Sequence, residues 1–333
     1  MIDNDVAALG AVLGALVGDA AGAVLEFFDR PIEDDDVSHA ISMPGGGCWR
    51  VAPGQITDDG ELTMSLLGAL AEGGPPRAAA ARAYASWVAS RPFDIGNTTA
   101  SSLGCLRHPR WGTRLRDALL GGRDEGAIAA ELMTDAASEL CMDSKANGSL
   151  MRATPLGVWG ASRTDEEAAR AAADDARLSH PNPACVDAGA AYVVAIASLV
   201  RAPGDVARAI DAASRFARGE VREWLDDALA GRAPPCEPMI GFVRIAFTHA
   251  FLHLARGSSY EEALRATLAG GGDTDTNACI VGGLVGARCG ADAIPRAMRE
   301  AVLGCDTSRG AHRRPDVLHP RRAPELVSAL LRP

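Results

Sequence analysis

The sequence predicts an all-α fold, a single compact multi-helix orthogonal bundle with a central binuclear metal cleft. Three observations lead there. Hydrophobic residues make up 47% of the 333-residue chain while aromatics reach only 5%, so small residues that pack helices closely outnumber the β-branched and aromatic residues a β-sandwich needs. No stretch alternates apolar and polar at strand length, and no Asn-Gly pair separates two β-branched runs. Two blocks of acids suited to one metal site stand near opposite ends of the chain, with no linker and no internal repeat between them. Splitting the chain would tear that site apart, so residues 1–333 are expected to form one domain of a dozen or more helices.

The first helix is expected over 6–28, with Gly10, Gly14, Gly18 and Gly22 on one face. Each glycine costs roughly 1 kcal/mol of helix propensity against alanine, so the spacing points to a second backbone lying close against that face. Asp19 and Glu26 would share a face near its end, as two solvated acids or with Glu26 turned into a site. Residues 29–53 read as irregular, with Asp34-Asp35-Asp36 a solvated turn and Gly45-Gly46-Gly47 a loop tip or a backbone cradle for a ligand. Thr57 or Asp58 would cap a helix running to Ala71, with Glu61 reaching back as in a capping box. A helix over 77–90 ends before Pro92. Asp94 then precedes a helix capped by Asn97 or Thr98, and is a carboxylate available for acid–base work or substrate contact.

Short helices are expected around 113–120 and 126–133. In Asn147-Gly148-Ser149-Leu150-Met151-Arg152, a helix start exposes N–H groups beside an arginine; it is an anion site or a turn with a surface arginine. A charged helix over 165–178 stops at Ser179-His180-Pro181, which puts His180 on a loop rather than a core face. The next helix runs to about Val200, and two polar-faced helices follow over 205–229. His249 and His253 are four apart in an apolar helix, but the glutamate of H-E-x-x-H is missing, so they read as packing histidines. Ser259 caps a helix to Leu268, and another covers 278–289. Segment 308–320, basic and proline-containing, is expected as an exposed tail before a terminal helix from Pro324.

Charge and cysteines narrow the partners. The net charge is −10 with no long basic run, which excludes nucleic acid as an expected partner. The eight cysteines form no C-x-x-C pair and read mostly as small buried residues of a reducing compartment. The apolar segments 6–17 and 188–200 fall short of a membrane span, and Asp3 and Asp5 precede the first where a signal peptide wants positive charge. A cytoplasmic protein with no membrane partner is expected, with a monomer as the default.

The chemistry concentrates in two blocks. Gly270-Gly271-Gly272-Asp273-Thr274-Asp275-Thr276 runs into an apolar helix, and Thr57-Asp58-Asp59 stands before another. Acids two apart do not share a helix face, but they can converge at a helix start, where the dipole favours anions. Six oxygen-bearing side chains, Thr57, Asp58, Asp59, Asp273, Asp275 and Thr276, suit two hard divalent cations bridged by one carboxylate. Such a centre hydrolyses phosphorylated or hydroxyl-rich substrates, which leaves phosphatase and glycosidase both open.

Five blocks, in order, resemble the ADP-ribosylglycohydrolase family, most of all its dinitrogenase reductase-activating type. They are Gly18-Asp19-Ala20-Ala21-Gly22 with Glu26; Gly45-Gly46-Gly47 followed by Gln55-Ile56-Thr57-Asp58-Asp59; Phe93-Asp94-Ile95-Gly96-Asn97-Thr98-Thr99; Asn147 to Arg152; and Gly271 to Thr276. The resemblance implies a metal-dependent hydrolase that releases ADP-ribose from a modified arginine, serine or threonine of a protein, using two Mg²⁺ or Mn²⁺. It makes Thr57, Asp58, Asp59, Asp273, Asp275 and Thr276 metal ligands. It makes Glu26 a gate or metal-site acid and Asp94 the carboxylate at the distal ribose, so Asp94, Glu26 and Asp59 are the catalytic candidates. Gly46, Gly47, Asn147, Gly148, Ser149, Met151, Arg152 and His180 become substrate contacts. One departure is Gly60, where relatives carry Thr; it is expected to loosen the helix start. The competing readings are a non-catalytic ADP-ribose or partner binder, crystallin-like or antitoxin-like, and a metal phosphoesterase.

Overall fold

The computed structural model describes residues 2–332. The chain starts with α1 (Asn4–Gly22), α2 (Asp34–Ile41), α3 (Asp58–Ala71), α4 (Pro76–Ala89), α5 (Asn97–Leu103) and α6 (Pro109–Leu120). It continues through α7 (Glu125–Leu140), α8 (Thr154–Gly160), α9 (Asp165–Ala176), α10 (Pro183–Arg201), α11 (Val206–Ser214) and α12 (Gly219–Leu229). It closes with α13 (Val243–Arg256), α14 (Tyr260–Ala269), α15 (Thr274–Cys289), α16 (Arg296–Leu303) and α17 (Ala323–Leu331). Among the described residues the only β pairings are two isolated bridges, Gly46 with Val51 and Ala146 with Phe242. The all-α expectation holds.

The centre is α1 packed antiparallel on α15. The glycine stripe of α1 makes this possible. A Cβ on Gly10 would lie 2.4 Å from Gly286 O, on Gly14 2.2 Å from Gly282 O, and on Gly18 2.0 Å from Ala278 O. α15 answers with its own glycines, Gly282 and Gly286. Two buried tyrosines pin the pair from outside: Tyr260 donates to Gly14 O at 2.7 Å and Tyr192 to Ile280 O at 2.9 Å. By length and hydropathy α1 and α10 each could cross a bilayer, more than their apolar cores suggest in sequence. Yet 83% and 89% of those windows are buried inside the protein.

Several elements depart from expectation. α1 ends at Gly22, six residues early. A Cβ there would meet Asp275 Cα at 2.3 Å, and the chain turns away, with Phe27 at φ 55. The acid triplet 34–36 is not a loose turn but the first turn of α2, where the dipole favours it; Asp36 also accepts from Glu33 N at 2.9 Å. α6 begins four residues early because Pro109 opens it; α7 begins near where expected, Asp124 capping it by accepting from Ala127 N, but runs on to Leu140. Segment 308–320 is no free tail: many of its residues are exposed, but Arg314 and Leu318 are docked on α3 and its neighbours. All eight cysteines are free thiols. His249 and His253 serve packing, held near Pro234 O at 2.9 Å and Ser258 Oγ at 3.1 Å.

Candidate active site

The antiparallel α1–α15 contact places the end of α1 against the start of α15. Asp275 and Thr276 lie in the first turn of α15, where unpaired N–H groups favour negative charge. Thr276 N donates to Asp275 Oδ1 at 2.9 Å, and Thr274 Oγ1 ties the turn to Gly22 O at 2.8 Å. Asp273 stands just before it and accepts from Asn147 Nδ2 at 2.7 Å. α3 begins at the same place: Thr57 Oγ1 lies 3.3 Å from both Asp59 Oδ2 and Asp275 Oδ2. The oxygens of Asp19, Asp59 and Asp275 come within 4.8 Å of one another, as do those of Glu26, Asp273 and Asp275. Asp275 joins both groups. Of the six residues read as ligands in the sequence, Asp59, Asp273 and Asp275 fall in these groups, Thr57 lies against two of them, and Asp58 and Thr276 line the same cleft.

The cap of α3 is supplied from outside. Thr57 makes no side-chain cap bond. Instead Asp19 of α1, fully buried, takes Thr57 Oγ1 at 2.7 Å, Thr57 N at 3.0 Å and Gly60 N at 2.8 Å. With its oxygens already holding these donors, Asp19 supports the cluster from beneath. A Cβ on Gly60 would stand 2.4 Å from Asp19 Oδ2, so glycine is what admits this carboxylate, and the loosening expected from Gly60 is not found. Glu61 forms no capping box. It turns away and accepts from Trp87 Nε1 at 2.8 Å and from Arg314.

Glu26 leaves the end of α1 on a turn. Its Oε2 accepts from Trp49 Nε1 at 2.6 Å, and its carboxylate reaches those of Asp273 and Asp275. Burial, then the nearby Asp94 carboxylate, pushes Glu26 up to about 8. Burial and Asp273 push Asp94 up to about 6. Burial raises Asp19 to about 7 in spite of its donors. Asp58, Asp59 and Asp275 are driven well above the usual carboxylate range, first by burial and then by Asp94, Asp58 and Glu26 respectively. Like charges this close favour a counter-cation or a proton. The donors are all oxygen, and Asp59 Oδ1 is buried without a partner. This set fits a hard divalent cation.

A cleft of about 360 Å³ opens over the acids, lined among others by Glu26, Asp58, Asp94, Thr98, Asn147, Gly148, Met151, His180 and Asp273. A larger cavity of about 620 Å³ lies under the C-terminal segment, but its acids are Glu61, paired with Arg314, Asp316, paired with Arg321, and the exposed Asp306, so the cluster suited to a cation lies at the smaller cleft. The 145–148 wall is held by Asn147 N on Gly241 O at 3.0 Å and Val243 N on Lys145 O at 2.9 Å.

Some expected contacts are placed otherwise. Arg152 is neither a surface arginine nor an anion contact. It is fully buried, pairs with Asp175 Oδ2 at 3.0 Å, donates to Gly148 O at 3.0 Å and lies over the Tyr84 ring. It holds the 147–152 loop from behind. Ser149 is buried too, away from the cleft lining. Gly46 and Gly47 do not line the cleft; Gly46 bridges Val51, a Cβ on Gly47 would strike Ala23 O at 2.3 Å, and the turn they form delivers Trp49 to Glu26. His180 follows a helix as expected but is fully buried. Burial and Arg152 hold it down at about 3, hence neutral, with Nε2 unpartnered at the cleft wall.

Asp19, read in the sequence as a solvated acid, is fully buried; residues missed there are Trp49 and the exposed Phe27 and Ile240 on the rim. A lone acid inside an apolar helix was the available signal for Asp19. The others depend on loop geometry and carry no motif.

A model of the ADP-ribosylglycohydrolase family matches residues 3–325. The chain is 27% identical to a protein of Acanthamoeba polyphaga mimivirus whose provisional name is ADP-ribosyl glycohydrolase L543, over 90% of this chain and 92% of that one. Shorter matches reach 41% identity with the ADP-ribosyl-[dinitrogen reductase] glycohydrolase of Rhodospirillum rubrum, over 30% of this chain and 35% of the relative. They reach 39% with the ADP-ribosylarginine hydrolase Tri1 of Pseudomonas putida, over 30% and 28%. Among solved structures, one titled an ADP-ribosylglycohydrolase-related protein complex superposes with a TM-score of 0.72 at 24% identity, covering 99% of this chain and 98% of that one.

Proposed function

The chain belongs to the ADP-ribosylglycohydrolase family and is a hydrolase, and from that premise we propose that it frees ADP-ribose from a modified protein side chain by hydrolysing the glycosidic bond at ribose C1″. Two divalent cations, Mg²⁺ or Mn²⁺, would be held by Thr57, Asp58, Asp59, Asp273, Asp275 and Thr276. The observation that carries this reading is the meeting of two oxygen-donor blocks at one cleft, with Asp275 shared between two carboxylate groups. Bound there, hard cations supply Lewis-acid charge to ribose hydroxyls and to water. Asn147 and Gly148 shape the wall that receives the substrate. Asp94 and Glu26 face the cleft as the acid–base pair, and their unequal environments let one hold a proton while the other accepts one. Trp49 fixes Glu26 in place. Neutral His180 presents an imidazole without adding charge.

The test is release of ADP-ribose from proteins modified on arginine, serine or threonine, with Mg²⁺ or Mn²⁺ and with chelator, read by mass spectrometry. Cation-dependent release of intact ADP-ribose from one of them is expected. Release of AMP or inorganic phosphate would favour a phosphoesterase. No release from any, with ADP-ribose still bound, would favour a non-catalytic binder.

A further inference from the structure

Basic, proline-containing segments commonly lie loose on a surface, but 308–320 is fastened to the parts that frame one side of the cleft. Arg314 spends all five of its N–H donors. Nε donates to Glu61 Oε1 at 2.6 Å, Nη2 to Glu61 Oε2 and Ser90 Oγ at 2.8 Å each, and Nη1 to Ser90 O and Arg91 O at 3.1 Å each. The two charged side chains are only 7% and 2% exposed. Glu61 sits on α3 two residues beyond Asp59. Ser90 and Arg91 form the turn that leads to Phe93 and Asp94. One guanidinium therefore joins the helix carrying Asp58 and Asp59 to the loop carrying Asp94.

His312 adds a second tie. Its carbonyl accepts from Gln55 Nε2 at 2.8 Å, and its ring stacks on Phe93 with centroids 4.3 Å apart. Phe93 meets Trp49 edge-on at 6.1 Å, and Trp49 donates to Glu26. Ala311 N bonds Arg50 O at 2.9 Å.

We propose that Arg314, seconded by His312, is a positioning residue for the hydrolysis proposed above: the C-terminal segment is a strap that sets Asp94 and Glu26 against the acids of α3. The inference rests on that reading of the site. Lysine at 314 could answer Glu61 with its charge, but three donors and no planar fork cannot also hold both carbonyls and the serine hydroxyl.

The experiment compares full-length wild type with Arg314→Lys, Arg314→Gln and His312→Ala. Melting temperature, Mn²⁺ affinity by calorimetry, steady-state kinetics and hydrogen exchange by mass spectrometry are read on each. In Arg314→Lys the melting temperature and Mn²⁺ affinity stay near wild type, while kcat falls about tenfold or more with little change in KM. Exchange rises at 47–52 and 91–97 by about tenfold and stays level elsewhere. His312→Ala follows in the same direction with a smaller loss. Wild-type kinetics in Arg314→Lys, exchange rising across the whole chain, or a rate loss that merely tracks unfolding would overturn the strap. An inactive wild type would count against the hydrolase reading alone, and local exchange would then decide the strap by itself.

Discussion

Gly18→Ala sets two physical effects against each other. Helix propensity alone makes alanine better by roughly 1 kcal/mol. The structure gives the opposite sign, because the new Cβ would lie 2.0 Å from Ala278 O and 2.5 Å from its carbonyl carbon. A carbon and a carbonyl oxygen come no closer than about 3.3 Å in comfort, so α1 and α15 would have to part by roughly 1 Å. Overpacking of this kind costs about 1–3 kcal/mol, occasionally more, and backbone cannot swing aside as a side chain can. A net loss of about 2 kcal/mol, divided by an unfolding entropy of about 0.7 kcal/mol/K for a chain this long, lowers the melting temperature by roughly 3 °C. Gly68→Ala is the matched control: it also lies inside a helix, yet a Cβ there meets nothing within 4 Å, so the melting temperature should rise. Scanning calorimetry of both variants decides. If Gly18→Ala moves upward with Gly68→Ala, the close approach of the two central helices is wrong.

Other perturbations act on the acids and their supports. Asp275→Asn removes the carboxylate common to both oxygen groups; it should stabilise the cation-free protein, abolish turnover, and lose the gain of about 2.7 kcal/mol that a cation at a hundred times its Kd provides. Unchanged turnover would sink the ligand assignment. Glu26, Asp19 and Asp94 have folded pKa values raised to about 8, 7 and 6 from 4.5, 3.8 and 3.8, so their contribution is present below the unfolded values and is lost as pH rises through the folded ones. Cation-free protein should therefore melt lower at pH 8 than near 4.5, with Glu26→Gln flattening the slope; a melting temperature that climbs with pH would contradict the burial described. Arg152→Ala leaves Asp175 buried with the Tyr84 hydroxyl but without a counter-charge and should cost about 3–5 kcal/mol, measured by urea unfolding; a loss of substrate affinity at unchanged stability would restore Arg152 to the ligand site. Asp94→Ala should lower kcat far more than KM, and an unchanged kcat would remove it from the chemistry.

The fold class and the acid cluster were legible because their signals are local and redundant. Glycine at every fourth position could only mean a neighbouring backbone, and two Thr-plus-acid blocks at helix starts had few other uses. What failed to show depends on which way a side chain turns. Glu61 and Asp59 are neighbours on one helix, and nothing in their order says that one faces the cleft and the other Arg314. Arg152 reads as an anion contact in a Gly-Ser context, but its partner Asp175 lies on α9, out of reach of any local rule. Gly60 looked like a loss until the buried Asp19 was seen to occupy the space beside it. Segment 308–320 has the composition of a free tail, and the bonds that make it otherwise, above all the five of one guanidinium, reach partners more than 200 residues away.

The close seam between α1 and α15 also fixes a schedule. Thr274 and Gly22, which touch across it, are 252 residues apart in sequence. A ribosome moving at about 5–20 residues per second needs roughly 10–50 s to cover that distance. For that interval the first helix is present without its partner, its apolar length and bare glycine face open to chaperones or to other nascent chains. The reactive centre comes into being only at the very end of synthesis, and a chain that stops short of α15 is born without one. Whatever hydrolysis the acids support is thereby silent in every unfinished copy.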